Sequence, residues 1–359
     1  MENTKKKLRN YAFIEGYLRE SYLETGVTKH GVKCIKGEVV VATNRFNSQR
    51  VRVFAQETRS DGSENKCYKP LLALLNGTTI ASYVSTLQNA DEDLDSLDQE
   101  TWDAATRAAT KVWLSGSIEE YATISVDDKG KEKETSSFSF QAQNGSIHKE
   151  NDKHKFLPRC NVELDGVILG IRDEMKRVDE DTVETGRVII DYLWTDYKGV
   201  GHKFKLIATD DYIVPDKPES GTFADYIRDN YEVGQTAWFN VAMVNLVETK
   251  VTGTKNEGWG QAPQPITSTS FVHELRLFGG RSKTGFGEDS ENYIPKDEVT
   301  GALAKRRVAA KENYDRVQAR KNAATAAAPK TEDKGFGAST AEYSDAAAST
   351  AGFPADFQF

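Results

Sequence analysis

Apolar and polar residues alternate along much of the first 280 residues, a pattern typical of β-strands that bury one face. The stretch RVRVFAQE (50–57) shows it most clearly, because Val51, Val53 and Ala55 fall on one face and the residues between them on the other. The same alternation predicts strands on either side of this one, followed by a segment of helical spacing and then two more strands. In chain order the predicted elements are strands 11–24, 33–43 and 50–57, a helical segment 68–89, and strands 111–121 and 135–143.

The second half of the chain repeats this order of elements. KVWLSGSIEEY in the first half corresponds to TAWFNVAMVNLVE in the second, so that Trp113 and Trp238 fall at equivalent places. Thr222 is a suitable N-cap for the helix of the second half. The predicted elements are strands 159–174, 186–196 and 202–210, helix 222–235, and strands 236–248 and 268–280. We therefore predict an internal duplication.

Five strands with a helix between the third and the fourth is the order of the oligonucleotide-binding (OB) fold. Gly16 and Gly166 each interrupt the first strand of one half, where a glycine permits the sharp bend that a small barrel needs. The sequence thus predicts a mainly β protein, with two OB-like five-stranded barrels in tandem, a helix and a disordered tail. An unrelated β-sandwich crossed by a helix is the alternative.

Changes in composition divide the chain further. The first module contains an acidic insertion at 88–103, and an Ala-, Lys- and Arg-rich stretch at 298–328 predicts a helix. The predicted parts are a basic arm (1–10), module 1 (11–150), module 2 (151–285), a linker with the helix (286–329) and a disordered acidic tail (330–359).

The net charge of −8 is unevenly distributed along the 359 residues. Residues 88–103 hold seven acids and no base, and residues 331–359 carry a net charge of −4. The rest of the chain has a net charge of +3, so its body is mildly basic and compatible with nucleic acid.

The cysteines and the apolar stretches of the sequence also indicate the cellular compartment. Three scattered cysteines do not form a disulfide framework, and neither a secretory signal nor an apolar stretch of membrane-spanning length is evident. We expect no membrane association and a cytoplasmic protein, in the host cytoplasm if the chain is viral.

Motifs for catalysis are missing from the sequence. It contains neither G-x-x-x-x-G-K-[ST] nor G-x-S-x-G, and its five histidines lack the spacing of zinc ligands. We expect no enzyme activity, no metal and no cofactor. An enzyme with an acidic, metal-dependent site is kept as a third alternative.

Basic and aromatic residues interleave on the predicted strands. Single-stranded DNA requires this mixture, since cations neutralise phosphates and aromatic rings stack on exposed bases. We expect the two modules to form one groove. Its predicted DNA-binding residues are Tyr17, Arg19, Lys33, Lys36, Arg45, Phe46, Arg50, Arg52, Phe54, Trp113, Arg187, Trp194, Tyr197, Lys198, Lys203 and Lys205.

The chain ends GFPADFQF, which places Phe353, Phe357 and Phe359 around Asp356 after an acidic stretch. This arrangement resembles the C-terminal tip of bacterial and phage single-stranded DNA-binding proteins. The resemblance implies a barrel that binds the strand and a mobile tail that recruits replication and repair proteins through these four residues.

Together these features predict a non-enzymatic, virus-encoded single-stranded DNA-binding protein that acts in replication or recombination. The alternative is a viral structural or assembly protein built of β-sandwich modules. A homo-oligomer is compatible with either interpretation.

Overall fold

A computed structural model describes residues 8–87, 94–95, 97–127, 129–151, 154–178, 181–210, 221–255, 264–281 and 293–327. Its strands are β1 (Asn10–Val27), β2 (Lys33–Asn44), β3 (Asn47–Gln56), β4 (Lys111–Val126), β5 (Glu132–Ile147), β6 (Arg159–Val178), β7 (Asp181–Thr195), β8 (Gly201–Ala208), β9 (Thr236–Lys255) and β10 (Gln264–Gly280). Its helices are α1 (Tyr68–Leu72), α2 (Ile80–Val84), α3 (Gln99–Ala108), α4 (Phe223–Asn230) and α5 (Lys296–Ala327). The predicted mainly β class with a C-terminal helix is confirmed.

Strands β1 to β5 close into a ring, here called the first barrel. Antiparallel pairs join β2 to β1 and β3, and β4 to β1 and β5. The ring closes where β3 runs parallel to β5, with Val51 opposite Phe140. Both side chains are fully buried, as is Ile118 opposite Phe140 on β4. The alternating apolar residues therefore fill the interior of the barrel.

Strands β6 to β10 close in the same order to form the second barrel. Here β8 runs parallel to β10, and Leu206 lies opposite Leu275. Helices α1 to α3 lie between β3 and β4, and α4 lies between β8 and β9. The connectivity is the one predicted for both halves, with the helix after the third strand. The division into modules at 150 and 285 stays a prediction, because one compact unit extends to Asp315.

The strand register is equivalent in the two barrels. Trp113 lies opposite Glu15 on the first strand of its barrel, and Trp238 lies opposite Asp165 on the first strand of the other. The two tryptophans are thus equivalent, as the sequence predicts.

The irregularities of the sheet are repeated as well. The pairing of β1 with β2 shifts between Leu18 and Glu20, and that of β6 with β7 shifts between Ile168 and Gly170. Each barrel therefore has a β-bulge at the same point of its first strand.

The two barrels are joined through their first strands. β1 and β6 pair antiparallel, with Ala12 opposite Val162, and these two residues hold equivalent positions in the two barrels. Strands β4, β1, β6 and β9 consequently form one four-stranded sheet, here called the shared sheet.

The fourth strand of each barrel also contacts the third strand of the other. The Glu120 carboxylate on β4 accepts a hydrogen bond from the Lys203 backbone N–H on β8, at 2.7 Å. The Asn245 side chain on β9 donates to the Ser48 carbonyl on β3, also at 2.7 Å. These reciprocal contacts fix the two barrels against each other.

Several predicted boundaries are wrong. The segment 68–89, predicted as helical, contains α1, a 3-10 turn (Ala73–Asn76) and α2, and Gly77 separates the 3-10 turn from α2. The β4–β5 hairpin is longer than predicted, since residues 132–134 and 144–147 are strand rather than turn and linker. Thr222 caps α4 as predicted, but the helix ends at Asn230 rather than near Gly234.

The first part of α5 explains the length of that hairpin. Ala310 packs with Ala122 and Ile124 of β4 in a small buried cluster. The Arg306 side chain, only 5% exposed, forms ion pairs with the Glu120 and Glu134 carboxylates of the same hairpin. The hairpin continues past the barrel because it has a helix to pack against.

Candidate nucleic-acid interface

The outer face of the first barrel carries the predicted cations of β3. Val51, Val53 and Ala55 are buried, whereas Arg50 is exposed and Arg52 and Phe54 are partly buried. The predicted division of this strand into an inner and an outer face is therefore confirmed. Two guanidinium groups and one aromatic ring alternate on the outer side.

The neighbouring strand β2 adds to this face. Lys36 lies opposite Phe54, and Glu38 lies opposite Arg52. The Glu38 carboxylate is 3.3 Å from Arg52 Nε and 3.2 Å from Arg50 Nη1. One carboxylate is thus shared by two guanidinium groups. We call Lys36, Arg50, Arg52 and Phe54 the basic face.

Lys36 also has an acidic neighbour, since its ammonium lies 3.1 Å from the Glu24 carboxylate on β1. Ion pairs of this kind, with both side chains largely in solvent, contribute about 0–1 kcal/mol. A phosphate group can therefore displace Glu24 from Lys36 at little cost.

The turn between β2 and β3 presents Arg45 and Phe46 as predicted. Phe46 is 58% exposed, and the Arg45 guanidinium lies 5.1 Å from the centre of its ring. The Asn44 side chain accepts a hydrogen bond from the Phe46 N–H at 2.9 Å, which stabilises the turn. Lys33, exposed, lies at the start of β2 and thus at the opposite end of the strand.

The predicted exposure of Arg19 is wrong. Arg19 is 8% exposed, and its guanidinium donates to the Ser48 hydroxyl at 3.0 Å and to the Asp95 carboxylate at 2.7 Å. The β-bulge between Leu18 and Glu20 is the reason, because it interrupts the alternation that would have turned Arg19 outward.

Tyr17 is also less accessible to DNA than predicted. Its ring packs edge-on against Phe156 at 5.0 Å between ring centres, and burial raises the pKa of its hydroxyl. Tyr17 therefore contributes to packing on this side of β1.

The cations of the second barrel are mostly paired. The Arg187 guanidinium lies 2.8 Å from the Glu274 carboxylate and 3.5 Å from that of Glu174. Lys203 lies 3.8 Å from Glu134 of the β4–β5 hairpin. Lys205 is exposed on the outer side of β8 and makes no ion pair with any described residue.

The three other predicted residues of this barrel lie at the end of β7, where Trp194 is, and in the turn to β8, which holds Tyr197 and Lys198. Tyr197 is 81% exposed, with the Lys198 ammonium 5.3 Å from its ring centre. Trp194 is partly buried, and its indole N–H donates to the Leu8 carbonyl at 3.4 Å. The Lys198 carbonyl accepts a hydrogen bond from Lys305 of α5, so this corner borders the helix.

Trp113 lies apart from the basic face. It is on the outer side of the shared sheet, where its ring is stacked with Phe13 at 6.5 Å and 17° between the planes. Around the first barrel β4 is two strands away from β3. The register therefore does not place Trp113 beside Arg50, Arg52 and Phe54.

In the part of the chain that the structure describes, no group of three or more His, Cys, Asp or Glu side chains is placed to hold a metal ion. Among the same residues, no helix is long and apolar enough to span a bilayer.

The sequence of this chain matches the model of one protein family. The family model YorF matches residues 9–316, which is most of the chain. The chain belongs to the YorF family. No curated protein matches its sequence.

Two crystal structures of the single-stranded DNA-binding protein from Thermus aquaticus are similar to this YorF-family chain. The wild-type structure has 11% sequence identity and a TM-score of 0.35, over 77% of this chain and 94% of the other. A deletion mutant of the same protein has 11% identity and a TM-score of 0.36, over 77% and 95%. At these scores, function has to be inferred from the YorF-family chain itself.

Some residues that the sequence did not single out lie beside Trp113 on the outer side of the shared sheet. They are Tyr11 and Phe13 of β1 and Arg159 of β6, whose guanidinium lies 5.3 Å from the Phe13 ring centre. The alternation of Tyr11 and Phe13 with buried Ala12 and Ile14 is the signal that identifies the two rings. The predicted partner-binding tip, Phe353, Asp356, Phe357 and Phe359, lies outside the described residues.

Proposed function

We propose that this YorF-family protein is a non-enzymatic single-stranded DNA-binding protein and that its basic face contacts the strand. One observation carries the proposal. On β3, every second residue fills the barrel, while Arg50, Arg52 and Phe54 share the outer side. Cations interleaved with an aromatic ring are the combination that binds phosphates and unstacked bases together.

The chemistry of binding follows from the ion pairs. Glu38 is shared between Arg50 and Arg52, so a phosphate can bind to either guanidinium without leaving Glu38 unpaired. Release of counterions from the DNA then favours binding and makes it sensitive to salt. Phe54, with Phe46 at the hairpin tip, supplies rings for base stacking.

We extend the proposal to the second barrel through its exposed groups. Lys205 and the Tyr197–Lys198 pair are exposed, and they offer two cations and one ring. Arg187 and Lys203 form ion pairs with carboxylates, so we expect them to contribute less to DNA binding.

Charge-removing variants test the proposal. We expect Arg50→Ala combined with Arg52→Ala to weaken binding of oligo-dT at least tenfold and to reduce the salt dependence by roughly one to two phosphate contacts. Phe54→Ala removes one stack of about 1–3 kcal/mol, which is about a 5- to 150-fold loss of affinity. Fluorescence anisotropy with labelled oligo-dT measures both effects.

Arg107→Ala is the matched control, because Arg107 is an exposed arginine on α3 away from the basic face. Its removal changes the net charge by one unit, as each of the single variants Arg50→Ala and Arg52→Ala does, and is expected to have little effect. If the Arg50 and Arg52 variants bind as tightly as Arg107→Ala does, the proposal is contradicted. Stable oligomers with no affinity for DNA would favour a structural or assembly protein instead.

We further propose a role in viral DNA replication or recombination, with the acidic tail recruiting partner proteins through its aromatic tip. The support is compositional, since the net-acidic tail ends with three phenylalanines. A chain truncated after residue 327 should bind oligo-dT at least as tightly as the full chain, because the tail competes with DNA for cations. It should also lose co-purification with replication proteins from infected cells. Weaker DNA binding by the truncated chain would refute the competition.

A further inference from the structure

The outer side of the shared sheet carries a group of aromatic side chains. Tyr11 is 43% exposed, and Phe13 and Trp113 are partly buried. The Phe13 and Trp113 rings are nearly parallel and stack across β1 and β4.

These rings are not part of the barrel core. The residues that alternate with them, Ala12 and Ile14 on β1 and Val112 and Leu114 on β4, are all fully buried. The core is therefore complete without the rings.

A guanidinium lies beside the rings. Arg159 is exposed, its guanidinium lies over the Phe13 ring, and it forms no ion pair with any described residue. Its two neighbouring carboxylates already have partners. Glu15 lies 2.7 Å from His148 Nδ1, and Glu163 is paired with Arg9.

We propose that Tyr11, Phe13, Trp113 and Arg159, here called the aromatic platform, form a second binding site for single-stranded DNA. The platform stacks unpaired bases on its rings and binds a phosphate through Arg159. Partly exposed flat rings can stack on nucleotide bases, and a guanidinium that has no ion-pair partner among the described residues can bind a phosphate. A flexible strand with unpaired bases offers both groups. A duplex does not, because its bases are already stacked. The ligand class rests on the proposed function, but the surface is distinct from the basic face.

Two conservative variants and a modified DNA test the platform. Phe13→Leu keeps the apolar volume and removes the ring, and Arg159→Gln removes the charge but keeps hydrogen-bonding capacity. We expect each variant to weaken binding of oligo-dT about 3- to 30-fold. We expect Phe13→Leu to weaken binding of an abasic oligonucleotide of equal length much less, because that ligand has no bases to stack. Arg159→Gln should weaken binding of both ligands, because both carry phosphates.

Photocrosslinking of wild-type protein to oligo-dT provides a test that does not depend on the folding of a variant. A crosslinked peptide containing Phe13 or Trp113 is expected. Crosslinks confined to β2 and β3, together with unchanged affinity of Phe13→Leu, would overturn the platform.

The outcomes separate this inference from the proposed function. If wild-type protein does not bind oligo-dT, both the proposed function and the aromatic platform are contradicted. If the Arg50 and Arg52 variants lose binding while Phe13→Leu and Arg159→Gln retain it, the platform alone fails. Tighter binding of oligo-rU than of oligo-dT, lost in Phe13→Leu, would assign the platform to RNA and overturn the DNA assignment.

Discussion

Gly16 and Gly166 lie where the first strand of each barrel passes from one neighbour to the next. β1 pairs with β4 up to Tyr17 and with β2 from Tyr17 onward. A Cβ atom at Gly16 would overlap the Ala42 carbonyl oxygen, and one at Gly166 would overlap that of Leu193. The close approach of the backbones explains why glycine occupies both positions.

We therefore expect Gly16→Ala to destabilise the protein by about 1–3 kcal/mol, since the strands must separate to admit the methyl group. Urea unfolding followed by circular dichroism measures the change. The control is Gly301→Ala on α5, where the added methyl meets open space. That change should stabilise the helix by roughly 0.5–1 kcal/mol. Equal stability of Gly16→Ala and wild type would disprove the steric account.

His202 gives a pH-dependent prediction. Burial lowers the pKa of its imidazole from the ordinary value of 6.5, although Glu120 and Asp196 oppose the shift. The unfolded state therefore takes up the proton first. The contribution of His202 to stability is complete above about pH 6.5 and is lost as the pH falls below that value.

We expect the free energy of unfolding to fall less steeply between pH 7 and pH 5 in His202→Gln than in wild type. The exposed His30, changed to glutamine, is the control and should leave the slope unaltered. A His202→Gln profile parallel to that of wild type would show that the imidazole does not contribute.

At the scale of residues, the sequence predicted the direction of side chains on strands in which buried and exposed residues alternate without interruption. It placed Arg50, Arg52 and Phe54 correctly for that reason. It failed at Arg19, because the adjacent bulge is a property of two paired strands and has no signature in one of them.

At the scale of elements, α5 is attached to the β4–β5 hairpin by a buried ion pair. The Arg306 and Glu120 side chains are 5% and 2% exposed, and Glu134 shares the guanidinium. Removing the arginine would leave the buried Glu120 carboxylate with the Lys203 N–H as its one hydrogen-bond donor among the described residues.

We expect Arg306→Ala to cost about 3–5 kcal/mol, the usual effect of leaving one partner of a buried pair uncompensated. Arg307→Ala is the matched control one residue along, since Arg307 is 61% exposed and pairs with Glu132 in solvent. Thermal unfolding should show a clear loss for the first variant and little change for the second. Similar losses of stability in Arg306→Ala and Arg307→Ala would mean that burial of an ion pair does not determine its contribution to stability.

The sequence predicted the helix but not its docking. Lys and Arg are spread along its whole length, so no apolar stripe marks the side that packs. The carboxylates that hold Arg306 lie 186 and 172 residues earlier in the chain, beyond the reach of local patterns.

At the scale of the molecule, the chain is two copies of one five-stranded barrel joined through their first strands. The order of elements revealed the copies, although few residues are shared. The pairing of β1 with β6 was not predictable, because each of these strands already has two neighbours in its own barrel. The pairing of β1 with β6 forms the shared sheet, and the aromatic platform lies on the outer side of that sheet.

The central claim is that the outer surface of these barrels binds single-stranded DNA through phosphates and bases. The most direct measurement is an anisotropy titration of wild-type protein with oligo-dT at about 50 mM and about 200 mM salt, with a duplex of equal length for comparison. With roughly four phosphate contacts, the affinity for oligo-dT should fall about 50-fold between the two salt concentrations. The duplex should bind more weakly at both. Absence of binding to oligo-dT at the lower salt, or an equal affinity for the duplex, would contradict the claim.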